Sequence, residues 1–226
     1  MRRVNRLSTL CSVIILFCGI LMAGGCAPEG PATVEAFSQA VQSGNLAQVR
    51  AGVHNHPDWV NVPDPENYNR TPLQKAAGHG HRKIVEFLLS EGAAINARDG
   101  LGYTPLMYAI HGRKSEMAVY LIENGARLDV KEKNGYTPLH NAAFAGLDRV
   151  VMALVRKGAP LEVKAGRETP LHLAAQEGHL QVARILLENG ADASGKSSGF
   201  WTPLTVASQR DNQRIVKLLK EYGANE

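Results

Sequence analysis

Beyond residue 26 the chain has no cysteine: Cys11, Cys18 and Cys26 are its complete set. The body therefore has no thiol for a disulfide or a structural zinc, and packing alone must hold it together. Charge of one sign is also lacking. The chain carries 25 Lys and Arg against 21 Asp and Glu, and Arg2, Arg3 and Arg6 fall in a leader without acids. The remaining 22 against 21 give no global attraction to nucleic acid. Catalytic signatures are missing as well, with no Gly-x-Ser-x-Gly, Walker loop, Ser–His–Asp order or paired carboxylates. Gly78-His79-Gly80 follows no strand, so it is no phosphate loop. His54-Asn55-His56 and His79-Gly80-His81 have no partner pair at zinc-finger spacing. The expectation is a chain that is not an enzyme and needs no cofactor or metal.

What the chain does have is a period. Thr-Pro-Leu begins at Thr71, Thr104, Thr137, Thr169 and Thr202, at spacings of 33, 33, 32 and 33. A unit this short cannot bury its own apolar face, so the repeats must stack. Thr caps a helix by accepting a backbone N–H, and Pro suits the first turn, where no N–H is needed. The following Leu and Ala pair make a slim helix face. A second helix carries apolar residues at helical spacing, as in Ile84, Val85, Leu88 and Leu89. It stops at Gly92, Gly125, Gly158, Gly190 and Gly223, where a left-handed cap suits glycine.

Read in order, Thr169–His172, Ala174–Ala175, Gly178–His179, Leu186–Leu187 and Gly190–Asp192 resemble the ankyrin repeat. The resemblance implies an all-α solenoid of helix-turn-helix units joined by β-hairpin-like loops, and a protein-binding function. It also implies that His140 and His172 bond back to the turn and order neighbouring units, and that His81 and His179 sit structurally between helices. The units run over 67–99, 100–132, 133–165, 166–198 and 199–226. An atypical first repeat at 33–66 is expected to cap the array. There Phe37, Ala40, Val41, Gly44 and Val49 align with Leu73, Ala76, Ala77, Gly80 and Val85 at an offset of 36, placing an insertion near residues 63–69. The glycine two residues before Thr is kept as Gly102 and Gly135 but replaced by Asn69, Arg167 and Phe200. Arg and Phe tolerate positive φ poorly, so those two loops should turn differently.

Arg2, Arg3 and Arg6, an apolar run from Leu7 to Ala23, and Gly24-Gly25-Cys26 describe a signal peptide over 1–25. Ala23-Gly24-Gly25-Cys26 resembles a bacterial lipobox, with Cys26 lipidated and residues 26–32 as a tether. Pro28 disfavours ordinary cleavage after Ala27. An uncleaved anchor is the alternative, since Leu7–Gly25 is just long enough to span a bilayer. Either reading places the repeats outside the cytoplasm. With Ala27 after the Cys, the resemblance implies an outer-membrane lipoprotein facing the periplasm.

The positions that the repeat leaves free carry specificity. Arg98, Lys131, Lys164 and Lys196 recur late in the loop after the Gly-Ala step. Arg70, Tyr103, Tyr136, Glu168 and Trp201 precede Thr. His79, His111, Phe144, Gln176 and Gln209 close the first helix. The resemblance implies that these rows face one concave side. The candidate interface is therefore Arg98, Tyr103, Lys131, Tyr136, Phe144, Lys164, Lys196 and Trp201, a basic ladder beside an aromatic row. It suits a protein partner with an acidic surface, bound by a monomer. The partner could be an enzyme that the chain inhibits or shelters, or a toxin it neutralises. The rival reading is an envelope scaffold touching membrane or cell-wall polymer.

Overall fold

The computed structural model describes residues 30–195 and 201–225. Among them, twelve helices alternate between two rows. The first helices of the units are α1 (Val34–Ser43), α3 (Pro72–His79), α5 (Pro105–His111), α7 (Pro138–Ala145), α9 (Pro170–Glu177) and α11 (Pro203–Gln209). The second helices are α2 (Leu46–Asn55), α4 (Arg82–Ser90), α6 (Ser115–Glu123), α8 (Asp148–Arg156), α10 (Leu180–Glu188) and α12 (Gln213–Glu221). Each first helix packs on the next first helix along the stack. The described residues contain no β-strand, only isolated bridges at Asp64–Arg70 and Ala165–Glu168. The hairpin-like loops are thus tips closed by single backbone pairs, such as Asp99 N to Tyr103 O at 3.1 Å and Glu132 N to Tyr136 O at 3.0 Å.

The repeated tripeptide does what its chemistry requires. Thr104 Oγ accepts Met107 N at 3.3 Å, Thr202 Oγ accepts Thr205 N at 3.1 Å, and Pro occupies the first turn. Leu73, Leu106, Leu139, Leu171 and Leu204 are all at most 2% exposed and form the spine of a continuous core. Burying each contributes roughly 1.5–3 kcal/mol relative to exposure. The alanines beside them let successive first helices approach closely. Gly92, Gly125, Gly158, Gly190 and Gly223 all have positive φ, as helix-terminating residues should.

Unit 1 has its own helix pair, followed by 3-10 turns at Pro57–Asn61 and Pro65–Asn67. Its tip, closed by Asp64 N to Arg70 O, encloses 65–69, whereas the Asp99–Tyr103 tip encloses only 100–102. Asn69 adopts φ 59°, as its tolerance of positive φ allows. In the short loop before Thr169, Gly166 takes the positive φ in place of Arg167. Phe200 lies outside the described residues, as do the leader, Cys26 and Lys196.

Three ladders of polar side chains run along the stack; among the described residues none of them has a rung between units 3 and 4. In the first, His140 Nδ1 accepts Thr137 N at 3.2 Å while its Nε2 meets Glu168 O at 3.2 Å. His172 repeats this with Thr169 N at 3.3 Å and Trp201 O at 3.4 Å. Gln74 does the same work in unit 2, accepting Thr71 N at 2.6 Å and donating to Tyr103 O at 2.8 Å. In the second ladder, His81 Nε2 meets Gln42 O at 2.7 Å and His179 Nε2 meets Phe144 O at 3.0 Å. Asn212 takes that place in unit 6, donating to Ala175 O at 2.7 Å. A Cβ on Gly146 would lie 2.6 Å from the His179 ring, so this glycine is required for space as well as for its positive φ.

The third ladder is not visible in the motif. Asn61 Oδ1 accepts Ala94 N at 3.0 Å, Asn96 Oδ1 accepts Arg127 N at 2.8 Å, and Glu162 Oε1 accepts Asp192 N at 3.1 Å. Asp129 breaks the series because the residue it would meet is Pro160, which has no N–H. It forms a bidentate pair with Arg127 instead, at 3.0 and 2.8 Å.

Burial lowers the pKa of both His140 and His172, so both are neutral with Nδ1 free to accept. In the unfolded chain they titrate near about 6.5. A folded pKa below the unfolded one means that the unfolded state binds protons first as pH falls. Their contribution is complete above about pH 6.5 and is lost progressively below it. The melting temperature should therefore fall between pH 7 and pH 5. His140→Gln with His172→Gln should flatten that slope while leaving the pH 7 midpoint nearly unchanged, since Gln74 already makes the same bonds. An unaltered slope in a calorimetric pH series would assign the acid sensitivity to other groups.

Candidate protein-binding groove

The loop tips separate their charges. Asp99 and Glu132 are buried, only 7% and 4% exposed, and are held there by the turns they close. Asp99 Oδ1 accepts Leu101 N and Tyr103 N, both at 2.9 Å, and its Oδ2 accepts the Tyr108 hydroxyl. Glu132 Oε1 accepts Asn134 N at 2.9 Å and Tyr136 N at 3.0 Å. Glu168 accepts the Tyr136 hydroxyl at 2.7 Å. The cations of the same tips stay outside: Arg98, Lys131, Lys133, Lys164 and Arg167 are all exposed. The tips thus present positive charge to solvent although their sequence is mixed.

Two clefts open beside these tips. One, of about 370 Å³, is floored by Lys75, Tyr108 and His111 of the first helices and walled by Arg70, Leu101 and Tyr103. The Arg70 guanidinium lies 4.5 Å from the Tyr108 ring centroid, a cation–π contact. Tyr103 packs tilted on Tyr108 at 5.5 Å and edge-on to His111 at 6.4 Å. The second cleft, of about 380 Å³, lies between the tips at Tyr136, Arg167, Glu168 and Trp201.

The structure brings Tyr136 and Trp201 together in the second cleft and sets Tyr103 in the first. Phe144, at the end of α7, is 53% exposed, a high value for an apolar ring. Lys131 and Lys164 are exposed at their tips. Arg98 also has a structural task, donating to the Lys131 carbonyl at 2.8 Å and so joining two tips. Both tyrosines are half-buried, with phenols pushed above their usual range. Burial does this for Tyr103, whereas the bond to Glu168, followed by burial, pushes Tyr136 up to about 12. They are neutral rings at any physiological pH.

Among the described residues, no three His, Cys, Asp or Glu side chains gather as a metal site would need. No helix there is long and apolar enough to cross a membrane.

Stacked helix pairs with groove-lining tips agree with the sequence relatives. A family model described as ankyrin repeats, in three copies, matches residues 37–132, 115–197 and 139–226. The chain is an ankyrin-repeat protein. Its ankyrin units are similar to an ankyrin repeat protein of Rickettsia bellii, 55% identical over 40 residues, which are 18% of this chain and 17% of that one. They also resemble a rice protein named as an E3 ubiquitin-protein ligase, XBOS32. There the identity is 35% over 85 residues, covering 38% of this chain and 16% of the rice protein. The match thus spans less than a fifth of either relative. Ankyrin repeats are protein-interaction modules, typically without catalysis, and that is the function the family gives this chain.

Sequence reasoning placed the rows of tip and helix-end residues but missed Arg70, Lys75 and Tyr108 as one cluster. A signal was available. Lys75, Tyr108 and Asn141 recur at intervals of 33, at the fourth position of their first helices.

Proposed function

We propose that the chain is a lipid-anchored binding module of the bacterial envelope, facing the periplasm, whose groove takes the acidic surface of a partner protein. The carrying observation is the sorting of charge at the tips, with Asp99 and Glu132 buried and Arg98, Lys131 and Lys133 exposed. Complementary potential of this kind steers association and selects partners more than it adds affinity. Tyr136, Phe144 and Trp201 supply rigid rings, which give contact area for little lost entropy. The anchoring half rests on Arg2, Arg3, Arg6, the apolar run to Ala23 and the Gly-Gly-Cys26 ending. The expected tether over 26–32 is shortened by the fold, because Pro31 is buried and lies against Gly52 of α2. A link from Ala27 to Glu29 would reach only about 10 Å, keeping the groove close to the membrane. An inhibitor or protective factor acting on one stoichiometric partner fits this arrangement.

Two measurements test it. Cys26→Ser should lose acyl labelling, and wild-type protein should lack residues 1–25 by mass. Retained labelling or a retained leader removes the lipoprotein reading. Trp201→Ala or Tyr136→Ala should weaken partner binding by about 2 kcal/mol without unfolding the array. Normal binding in both, with loss on changing Glu86, Met152 or Arg184 of the second helices, would move the interface to the back of the solenoid.

A further inference from the structure

Three buried side-chain nitrogens have no hydrogen-bond partner among the described residues: Arg70 Nε, Asn141 Nδ2 and Trp201 Nε1. All three are donors. Leaving such a group without an acceptor is costly, and native proteins contain few of them. Their positions follow the repeat. Arg70 and Trp201 stand immediately before Thr in units 2 and 6, and each lines one of the two clefts. Asn141 holds on α7 the place that Lys75 and Tyr108 hold on α3 and α5. Three groups at the equivalent positions are satisfied. The Lys75 amine is bonded by Asp64 and Ser38, the Tyr108 hydroxyl by Asp99, and the Tyr136 hydroxyl by Glu168. Among the described residues the missing acceptors therefore fall in units 2, 4 and 6, on the row before Thr and on the first-helix row that floors the cleft.

We infer that the groove holds an extended acidic segment of a partner chain, whose carboxylate and carbonyl oxygens accept from Arg70, Asn141 and Trp201. This rests on the groove reading above and names the partner's chemistry. Units 2 and 6 are four steps apart, and neighbouring helices lie about 8–10 Å from one another, so the path is roughly 35 Å. An extended chain covers that in about 11 residues. Such a strand offers an oxygen at every residue and is thin enough to reach the cleft floors. Side-chain carboxylates match the exposed cations Arg98, Lys131 and Arg167 along the rim.

The test uses the full chain in neutral detergent and two fluorescein-labelled peptides of about 12 residues, one alternating Glu and Gly, the other Gln and Gly. Fluorescence anisotropy should show the Glu peptide binding at least tenfold tighter than the Gln peptide. Asn141→Asp should weaken Glu-peptide binding at least tenfold, and Trp201→Phe, which keeps a ring but removes the donor, at least threefold. Should Asn141→Asp lower the melting midpoint, Asn141→Leu removes the donor without adding charge and should still cost at least threefold. Equal affinity for the two peptides, no binding of either, or unchanged affinity in the folded variants would overturn the inference. If the peptides fail while Trp201→Ala and Tyr136→Ala still weaken partner capture, the groove stands and only the acidic segment falls.

Discussion

Replacing Gly112 with alanine is expected to destabilise the array by about 3 kcal/mol, among the largest effects available to a single methyl group. Gly112 ends α5 with an ordinary negative φ, so the backbone accepts alanine without strain. The obstacle is tertiary. A Cβ there would sit 2.2 Å from the Gly78 carbonyl oxygen of α3, and backbone cannot rotate away as a side chain can. The two helices would have to part by about an ångström, opening the seam between units 2 and 3. For an array of this size the melting midpoint should fall by roughly 6–12 °C. The next residue predicts the opposite sign. Arg113 has φ 54°, where units 2, 4 and 5 carry Gly80, Gly146 and Gly178. Arg113→Gly relieves a left-handed arginine and should stabilise by about 1 kcal/mol. Urea unfolding of the two variants measures both. Similar destabilisation by both would show that this turn tolerates no change of any kind, and the seam argument would fail.

Asp64→Ala should cost about 3 kcal/mol, and Lys75→Met in the same chain should recover most of it. The Lys75 side chain is only 5% exposed on α3 and ends on Asp64 of the preceding loop at 2.5 Å, with Ser38 of α1 as second partner. Removing the carboxylate strands an ammonium in the interior, which costs far more than the intact pair contributes. Lys75→Met removes the stranded charge while keeping most of the volume that the lysine stem fills. The hydrogen bond from Lys75 holds the Asp64 carboxyl below its usual range. A folded pKa below the unfolded one means that this stabilisation is present above about pH 4 and is lost as pH falls further. Hydrogen exchange in α1 and α2 is the sensitive readout, because the pair fastens unit 1 to unit 2. Asp64→Ala should accelerate exchange there and leave α9 and α10 unchanged. Uniform acceleration along the stack would mean that the pair does not act locally.

The interval of 33 was enough to place the helix pairs, because each depends on contacts within a few residues. Thr caps its own helix, Pro fits its own first turn, and glycine ends its own second helix. The spine leucines and the ladder histidines were legible for the same reason, the latter through the family resemblance. Asn69 and Arg167 were read correctly from backbone preference alone. The groove was only half legible. Its residues could be found by elimination, as the positions the repeat does not use, but their orientation could not. Lys131 and Glu132 are neighbours in sequence, and nothing local says that the lysine faces solvent while the glutamate closes the turn.

By itself, then, the sequence determined the repeat, the caps, the core and the register in which candidate residues recur. These follow from short-range rules applied many times over. Tertiary structure decided everything that compares one unit with the next. It set the α3–α5 seam at Gly78 and Gly112, the ladder through Asn61, Asn96 and Glu162, and its interruption where Asp129 meets Pro160. It also left Arg70, Asn141 and Trp201 without acceptors among the described residues. Each of these is a contact between residues that lie about one period apart, or a buried donor that meets no such contact. Periodicity says that such residues are neighbours. Whether a donor then meets an acceptor, a proline or nothing depends on how the helices settle against one another, and only packing resolves that.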